Sequence, residues 1–190
     1  RRLVGAGVSA IQLKPCPPWR AACIPEQVGN DSIMGLSIPS MSSLPPSPCA
    51  LDILRGTMRL LLDLGLSSLP EFTLRTGRRL DILALAPDGR FTAVEVKSSR
   101  ADFLADRKWP DYLPFADRFY FAVAPGFPVE LLPAEEGLIL ADRYAASLIR
   151  PSRTRPVAPA RRRALLLRFA RTASLRLQGQ ADPEAGPEAA

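Results

Sequence analysis

The sequence contains no histidine, few cysteines and no long apolar run. Without an imidazole it cannot form a Ser-His-Asp triad, a histidine-dependent nuclease site or a histidine-ligated zinc site. Its three cysteines, Cys16, Cys23 and Cys49, lack the paired spacing of a zinc or redox site. No apolar run approaches the roughly 18 residues that a membrane-spanning helix needs. We therefore expect a cytoplasmic protein whose chemistry comes from carboxylates, lysine and hydroxyl groups.

The composition predicts one folded domain with an extension at each end. Of the 190 residues, 47% are hydrophobic and 23% are charged, which is ordinary for a soluble globular protein. Residues 1–50 hold eight of the 20 prolines and show no helical or strand periodicity, so we expect a disordered extension there. We place the domain at residues 51–177 and expect residues 178–190 to form a disordered tail.

The formal net charge of +6 predicts an anionic partner, and its distribution locates the basic excess. Residues 51–150 carry 13 Lys and Arg against 14 Asp and Glu, whereas residues 151–190 carry eight against three. A helix predicted from about residue 159 to 177 begins with Arg161, Arg162 and Arg163. Such a run can bind DNA phosphates without reading sequence, although it can equally be the solvated start of a helix.

The spacing of apolar residues predicts a helix, three strands, a second helix and further strands. The first helix begins at Leu51, and Ser99-Arg-Ala-Asp102 matches a capping box that opens the second, which Pro110 should interrupt. The predicted strands are Glu71–Leu74, Leu80–Leu85, Phe91–Lys97, Arg118–Val123, Gly137–Ala141 and Ala146–Arg150. This order predicts an α/β fold in which helices flank a mixed sheet.

The second and third predicted strands should form a hairpin. They are joined by Pro87-Asp-Gly89, a turn sequence in which proline fixes φ and glycine can adopt a left-handed conformation. A three-residue loop sets a register that places Asp81 opposite Glu95, with Lys97 beside them on the same face. The opposite face then carries residues suited to burial against helices, namely Leu80, Ile82, Ala84, Thr92, Val94 and Val96.

The polar face of this hairpin predicts a site for a divalent metal ion. Two carboxylates, a main-chain carbonyl and water supply the hard oxygen ligands that Mg²⁺ prefers. Asp81, Glu95 and the carbonyl of Val96 are the predicted ligands for Mg²⁺ or Mn²⁺. Lys97 would orient or deprotonate an attacking water and offset charge on a phosphate. The alternative is a cross-strand ion pair on a solvated hairpin.

Asp81 on one strand and Glu95-Val96-Lys97 on the next resemble the PD-(D/E)XK nuclease motif. Leu80 stands where the nominal motif has proline. The resemblance implies a restriction-endonuclease-like core and metal-dependent hydrolysis of DNA phosphodiester bonds. Asp81, Glu95 and Lys97 would be the catalytic residues.

A longer resemblance, over residues 51–177, is to the MmcB-type family of DNA-repair-related proteins. It implies a role in DNA repair, with DNA and other repair proteins as candidate partners. The segments that carry it are Glu71-Phe72, Arg79-Leu80-Asp81, Glu95-Val96-Lys97-Ser98-Ser99, Asp102-Phe103 and Asp106-Arg-Lys-Trp-Pro-Asp-Tyr112.

The nuclease resemblance also implies further site residues. Related nucleases often have an additional acidic residue before the motif aspartate, and the candidates here are Glu71 and Asp63. We expect Glu71 to take this catalytic role. Some relatives place Gln and Tyr one helical turn apart after the lysine. Lys108 and Tyr112 have that spacing and are predicted to contact DNA, although Tyr112 can instead be a packing residue.

Two classes of function remain open at this point. One is an active nuclease, and the other is a catalytically silent DNA- or protein-binding module with a nuclease-like fold, because fold alone does not decide function. Retention of the full Asp, Glu and Lys set favours the enzyme, since a binding module has no need for two carboxylates beside a lysine.

Overall fold

The computed structural model describes residues 50–182 and residue 184. Nearly all of the predicted extension at residues 1–50, and the end of the predicted tail, lie outside these residues. The described part has the predicted α/β architecture, a mixed six-stranded sheet flanked by helices. No helix in this part of the chain is apolar over a length that would cross a membrane.

The main elements follow one another as α1 (Ala50–Asp63), β1 (Ser67–Thr73), β2 (Arg79–Leu85), β3 (Phe91–Lys97), α2 (Arg100–Ala105), β4 (Arg118–Val123), β5 (Gly137–Ala141), β6 (Ala146–Arg150) and α3 (Pro159–Ala181). The predicted order is matched only in part, because a 3₁₀ helix, Trp109–Phe115, lies between α2 and β4 and another, Val129–Leu131, lies between β4 and β5. The first of these contains Pro110 and Pro114, which lack the N–H that an α-helix needs.

Two predictions about helix ends have different outcomes. Ser99 opens α2 as predicted, since its hydroxyl accepts a hydrogen bond from the N–H of Asp102 at 3.1 Å. The end predicted for the last helix was wrong, because α3 continues to Ala181 and so includes the start of the predicted tail. The helix stops just before Pro183, whose ring disfavours helical backbone at the preceding residue.

The strands lie in the sheet in the same order as in the chain. The β3–β4 and β4–β5 pairs are parallel, and the other three pairs are antiparallel. All seven residues of the interior strand β3 are buried. Glu95 and Lys97 are therefore held within the interior of the sheet rather than on a solvated hairpin.

One face of the sheet packs against α1, as the hairpin alternation predicts for Ile82, Ala84, Val94 and Val96. Helix α1 and the turn between β5 and β6 approach closely at Gly56, where an added Cβ would clash with the carbonyl oxygen of Asp142. A larger residue at position 56 would force α1 away from the turn between β5 and β6.

The other face packs against α3 and the 3₁₀ helix Trp109–Phe115. Leu80 was predicted to share a face with Ile82 and Ala84, but it packs on this other side with Phe72. The alternation is interrupted on the edge strand β1, where Glu71 has a φ of 47° in the left-handed region. Leu69 and Phe72, three residues apart, consequently pack on the same face.

Candidate active site

The end of the β2–β3 hairpin brings Asp81 and Glu95 together. The predicted register is confirmed, with pairs running from Leu85 and Phe91 to Ile82 and Val94. Just beyond the last pair, Asp81 Oδ2 accepts a hydrogen bond from the N–H of Val96 at 2.8 Å. The Asp81 N–H in turn donates to Glu95 Oε1 at 3.4 Å. At this end of the hairpin, side-chain carboxylates thus accept hydrogen bonds from main-chain N–H groups in place of main-chain carbonyls.

Lys97 lies between two carboxylates. Its Nζ is 3.5 Å from Glu95 Oε2 and 2.7 Å from Asp106 Oδ2. Glu95 and Lys97 are each only 4% exposed. The second oxygen of Asp106 accepts the Lys108 N–H at 2.8 Å, so both oxygens of this carboxylate are held.

Asp106 is the site residue that sequence reasoning missed. It was noted only as part of the MmcB-type resemblance. The feature that could have indicated Asp106 is its position at the end of α2, the helix whose start at Ser99 is predicted from the sequence. The Asp106 N–H donates to the carbonyls of Asp102 and Phe103 there, which fixes its backbone at the end of α2.

These side chains border an open cleft of about 500 Å³. Asp81, Glu95 and Lys97 come from β2 and β3, and the remaining lining residues come from the β1–β2 turn, the first residue of β2, α2 and the segment after α2. They are Gly77, Arg78, Arg79, Asp102, Ala105, Asp106, Lys108 and Tyr112. The cleft therefore offers both carboxylates and cations to a ligand.

Burial changes the ionisation of the three central groups. It raises the pKa of Glu95 to about 8, and the negative charge of Asp81 acts in the same direction. Burial also raises the pKa of Asp81 despite its hydrogen bond from Val96. For Lys97, burial alone would lower the pKa, but the hydrogen bond to Asp106 and the charge of Glu95 outweigh it and raise the pKa. Lys97 is thus an ammonium at neutral pH, which favours its predicted role in offsetting phosphate charge over its role as a base.

We expect Glu95→Gln to raise the melting temperature by roughly 5 °C or more at pH 8.5 and to change it little at pH 5. The pKa of Glu95 is about 8 in the folded protein, above its ordinary 4.5, so the folded state binds more protons than the unfolded state between these values. The wild-type protein therefore loses stability as the pH rises from about 4.5 to about 8. The glutamine variant does not lose this stability, because its side chain does not ionise. Thermal melts in EDTA at both pH values check this, with Glu71→Gln as control. An equal shift at both pH values would contradict it.

The structure does not bring the predicted additional acid into the cleft. Register alone would pair Glu71 with Asp81, but the left-handed backbone at Glu71 breaks the pairing there. The Glu71 carboxylate is 62% exposed and lies 3.5 Å from the guanidinium of Arg79. Asp63 is exposed on the last turn of α1 and lines a different pocket. Neither residue is among those that line the cleft.

Lys108 and Tyr112 both border the cleft but differ in exposure. Lys108 is exposed at the rim, where an anion can reach it. Tyr112 is 5% exposed, and its hydroxyl donates to the carbonyl of Arg79 at 3.0 Å. Burial raises the pKa of Tyr112 to about 12. Tyr112 therefore has the packing role, supports the rim at Arg79 and has little surface to offer DNA.

The three arginines at the start of α3 lie in different environments. Arg162 was predicted to contact DNA, but its guanidinium makes two hydrogen bonds, of 2.8 and 2.6 Å, to the buried carboxylate of Asp117. The reason is helical spacing, since Arg162 lies three and seven residues before the buried Leu165 and Phe169 and so shares their inward side. Arg161 and Arg163 are exposed.

The cleft offers few protein ligands to the implied Mg²⁺ or Mn²⁺. Within residues 50–182 and 184, no group of three or more His, Cys, Asp and Glu side chains is arranged to hold a metal ion. The two carboxylates fit a site completed by main-chain oxygen, water and substrate, which is how Mg²⁺ is commonly bound. In a strand, the N–H and C=O of one residue point to the same side. Because the Val96 N–H points at Asp81, its carbonyl also points toward that side of β3.

The comparisons with known proteins agree with this architecture. A solved structure, the SPO1766 protein of unknown function from Silicibacter pomeroyi, is 44% identical to this chain with a TM-score of 0.70. The alignment covers 77% of this chain and 99% of that one. No curated protein matches the sequence.

The family comparison is more informative about function. The profile of the family described as "DNA repair protein MmcB-like" matches residues 39–184. The match includes every element from α1 to α3, and it begins before the predicted domain start at residue 51. The chain therefore belongs to the MmcB-like family of DNA repair proteins.

Proposed function

We propose that this protein is a divalent-metal-dependent deoxyribonuclease of the PD-(D/E)XK type that acts in DNA repair. The observation that carries the proposal is the junction of Asp81 and Glu95 at the end of the hairpin, with the Lys97 ammonium 3.5 Å from Glu95. All three side chains border one open cleft. Membership of a DNA repair family supports DNA as the substrate.

The residues of the cleft have separate roles in this proposal. Asp81, Glu95 and the Val96 carbonyl would hold Mg²⁺ or Mn²⁺, which when bound lowers the pKa of water and neutralises charge on phosphate oxygens. Lys97 would stabilise the negative charge that develops on the phosphate. Asp106 holds the Lys97 ammonium in place through its 2.7 Å hydrogen bond. The exposed Lys108 and Arg79 at the rim would attract the DNA backbone.

A second candidate function is a catalytically silent module that binds DNA or a repair protein. The observation that favours it is the pairing of Lys97 with both Asp106 and Glu95, which engages the ammonium with two carboxylates of the protein itself. A buried ion network of this kind can serve structure alone.

Incubation of the purified full chain with plasmid, single-stranded and branched DNA distinguishes the two candidates. Each substrate is tested with Mg²⁺, with Mn²⁺ and with EDTA. A nuclease gives products with either metal and none with EDTA. Binding without products on every substrate would support the silent module.

We expect Mg²⁺ or Mn²⁺ to raise the melting temperature of the wild-type protein. A ligand that binds only the folded state stabilises it by mass action, by about 2.7 kcal/mol at a concentration 100 times its dissociation constant. The metal would also relieve the repulsion between the half-buried carboxylate of Asp81 and the buried carboxylate of Glu95. Asp81→Asn/Glu95→Gln should lose this response, and Glu71→Gln should keep it. Equal shifts in all three proteins would show that the ligands lie elsewhere.

A further inference from the structure

A second surface with the chemistry of a nucleic-acid site lies beside α3. We call it the basic groove and define it by its lining residues, Leu74, Arg75, Phe115, Ala160, Arg161, Ala164, Leu165 and Arg168. Its larger part has a volume of about 350 Å³. Three guanidinium groups border it, and the lining includes no carboxylate, whereas the cleft contains several. The groove therefore favours an anion without help from a metal ion.

The arginines of the groove are presented in fixed positions. Arg161 lies over the ring of Phe115, with 5.1 Å between the guanidinium carbon and the ring centroid, and donates to the carbonyl of Pro114. Arg168 donates through Nε to the carbonyl of Thr73 at 2.7 Å. A guanidinium has five N–H donors, so each keeps donors for a ligand. Arg75 is exposed beside them on the β1–β2 turn.

The basic groove and the cleft share the same two walls. The β1–β2 turn carries Arg75 at the groove and Arg78 at the cleft. The 3₁₀ helix Trp109–Phe115 likewise places Tyr112 at the cleft and Phe115 at the groove. The groove therefore adjoins the same two elements that border the cleft.

We propose that the basic groove binds single-stranded DNA that continues from the cleft. The identity of the polymer rests on the proposed function. Arg75 and Arg168 bind phosphates, and an unpaired base stacks on the guanidinium plane of Arg161, which Phe115 supports from behind. The apolar floor, formed by Ala160, Ala164 and Leu165, is suited to unpaired bases. A duplex turns its bases inward and would leave this floor unused.

The test measures binding of fluorescent oligonucleotides to the full chain in EDTA, where no metal-dependent cleavage interferes. The variant is Arg75→Gln/Arg161→Gln. The matched control is Arg163→Gln/Arg171→Gln, which removes the same charge from exposed positions on α3 that do not line the groove. Titrations at several salt concentrations use a long and a short single strand and a duplex, and thermal melts verify folding.

We expect the groove variant to lose at least about tenfold in affinity for the long single strand. The slope of log K against log salt should fall by about 0.7 unit, because one phosphate contact, that of Arg75, is lost on a single strand. The control pair, the short strand and the duplex should change less. Arg161→Lys should keep the salt slope but bind more weakly, because lysine keeps the charge without the stacking plane.

Three results would overturn the proposal: equal losses in the groove and control pairs, equal losses for duplex and single strand, or tighter binding of a poly-glutamate peptide than of the oligonucleotide at the groove. Its failure is distinguishable from failure of the nuclease proposal. If the groove variant selectively loses single-strand binding but the protein never cleaves DNA, the groove proposal is supported and the nuclease proposal fails. If the protein cleaves DNA but the groove variant binds like the control, the nuclease proposal is supported and the groove proposal fails.

Discussion

Asp81→Asn and Glu95→Gln are each expected to reduce DNA cleavage by on the order of 10²–10⁴-fold, the usual effect of losing a group that handles the reacting proton or charge. Asparagine can still accept the Val96 N–H that the Asp81 carboxylate accepts now. The hairpin should therefore persist while the negative charge needed for metal binding is lost. Single-turnover cleavage of a labelled substrate with saturating Mn²⁺ measures the effect.

Two control variants come from the acidic residues that lie outside the cleft. Glu71→Gln and Asp63→Asn remove the same charge from exposed side chains and should cleave like the wild type. Circular dichroism and a thermal melt verify that each variant is folded. Wild-type cleavage by either Asp81→Asn or Glu95→Gln would rule out the mechanism. A loss of DNA cleavage in Glu71→Gln would show that Glu71 contributes to the active site.

Arg162→Gln is expected to lower the free energy of unfolding by about 3–5 kcal/mol, the usual result of removing one partner of a buried ion pair. Asp117 is 2% exposed, and its carboxylate accepts hydrogen bonds from the N–H groups of Phe91 and Val157 as well as from Arg162. Without the guanidinium, the carboxylate keeps its buried position and loses its counter-charge. Urea unfolding followed by fluorescence measures the change.

The neighbouring Arg163→Gln is the control for this prediction. Arg163 is exposed one residue along the same helix, so its loss should change stability by no more than about 0.5 kcal/mol. Asp117→Asn/Arg162→Gln should be more stable than the sum of its single variants predicts, because the two residues interact directly. If Arg162→Gln and Arg163→Gln changed the free energy of unfolding equally, the ion pair of Arg162 with Asp117 would not contribute to stability.

The sequence predicted the parts of the fold that follow from short-range rules. The turn at Pro87-Asp-Gly89 fixes the hairpin register, and the register alone places Asp81 beside Glu95. The resemblance to the MmcB-type family, confirmed by the family match, was carried by residues of β1, of that hairpin, of α2 and of the segment after α2. A local pattern with a period of two was therefore enough to locate the centre of the cleft.

The structure departs from the expected positions where tertiary contacts override a local pattern. Glu71 has the residue type expected of an additional ligand, but its left-handed backbone turns it to solvent. The position of Asp106 could not be predicted from a strand register, because Asp106 follows α2 and is not in a strand. It contacts Lys97 only because α2 returns the chain toward the end of β3. Arg162 belonged to a basic run, and its inward position followed from its spacing to Leu165 and Phe169, which the charge count ignored.

The ion pair between Asp117 and Arg162 also constrains the order in which the chain can fold. The strands occupy the sheet in chain order, so each can pair with its predecessor as it leaves the ribosome. The guanidinium that neutralises Asp117 is made 45 residues later, on the last helix. Until then the carboxylate must stay hydrated, and the sheet face that Phe169 covers is open. A nascent chain that stalls before α3 would therefore carry an unfinished core that chaperones can recognise.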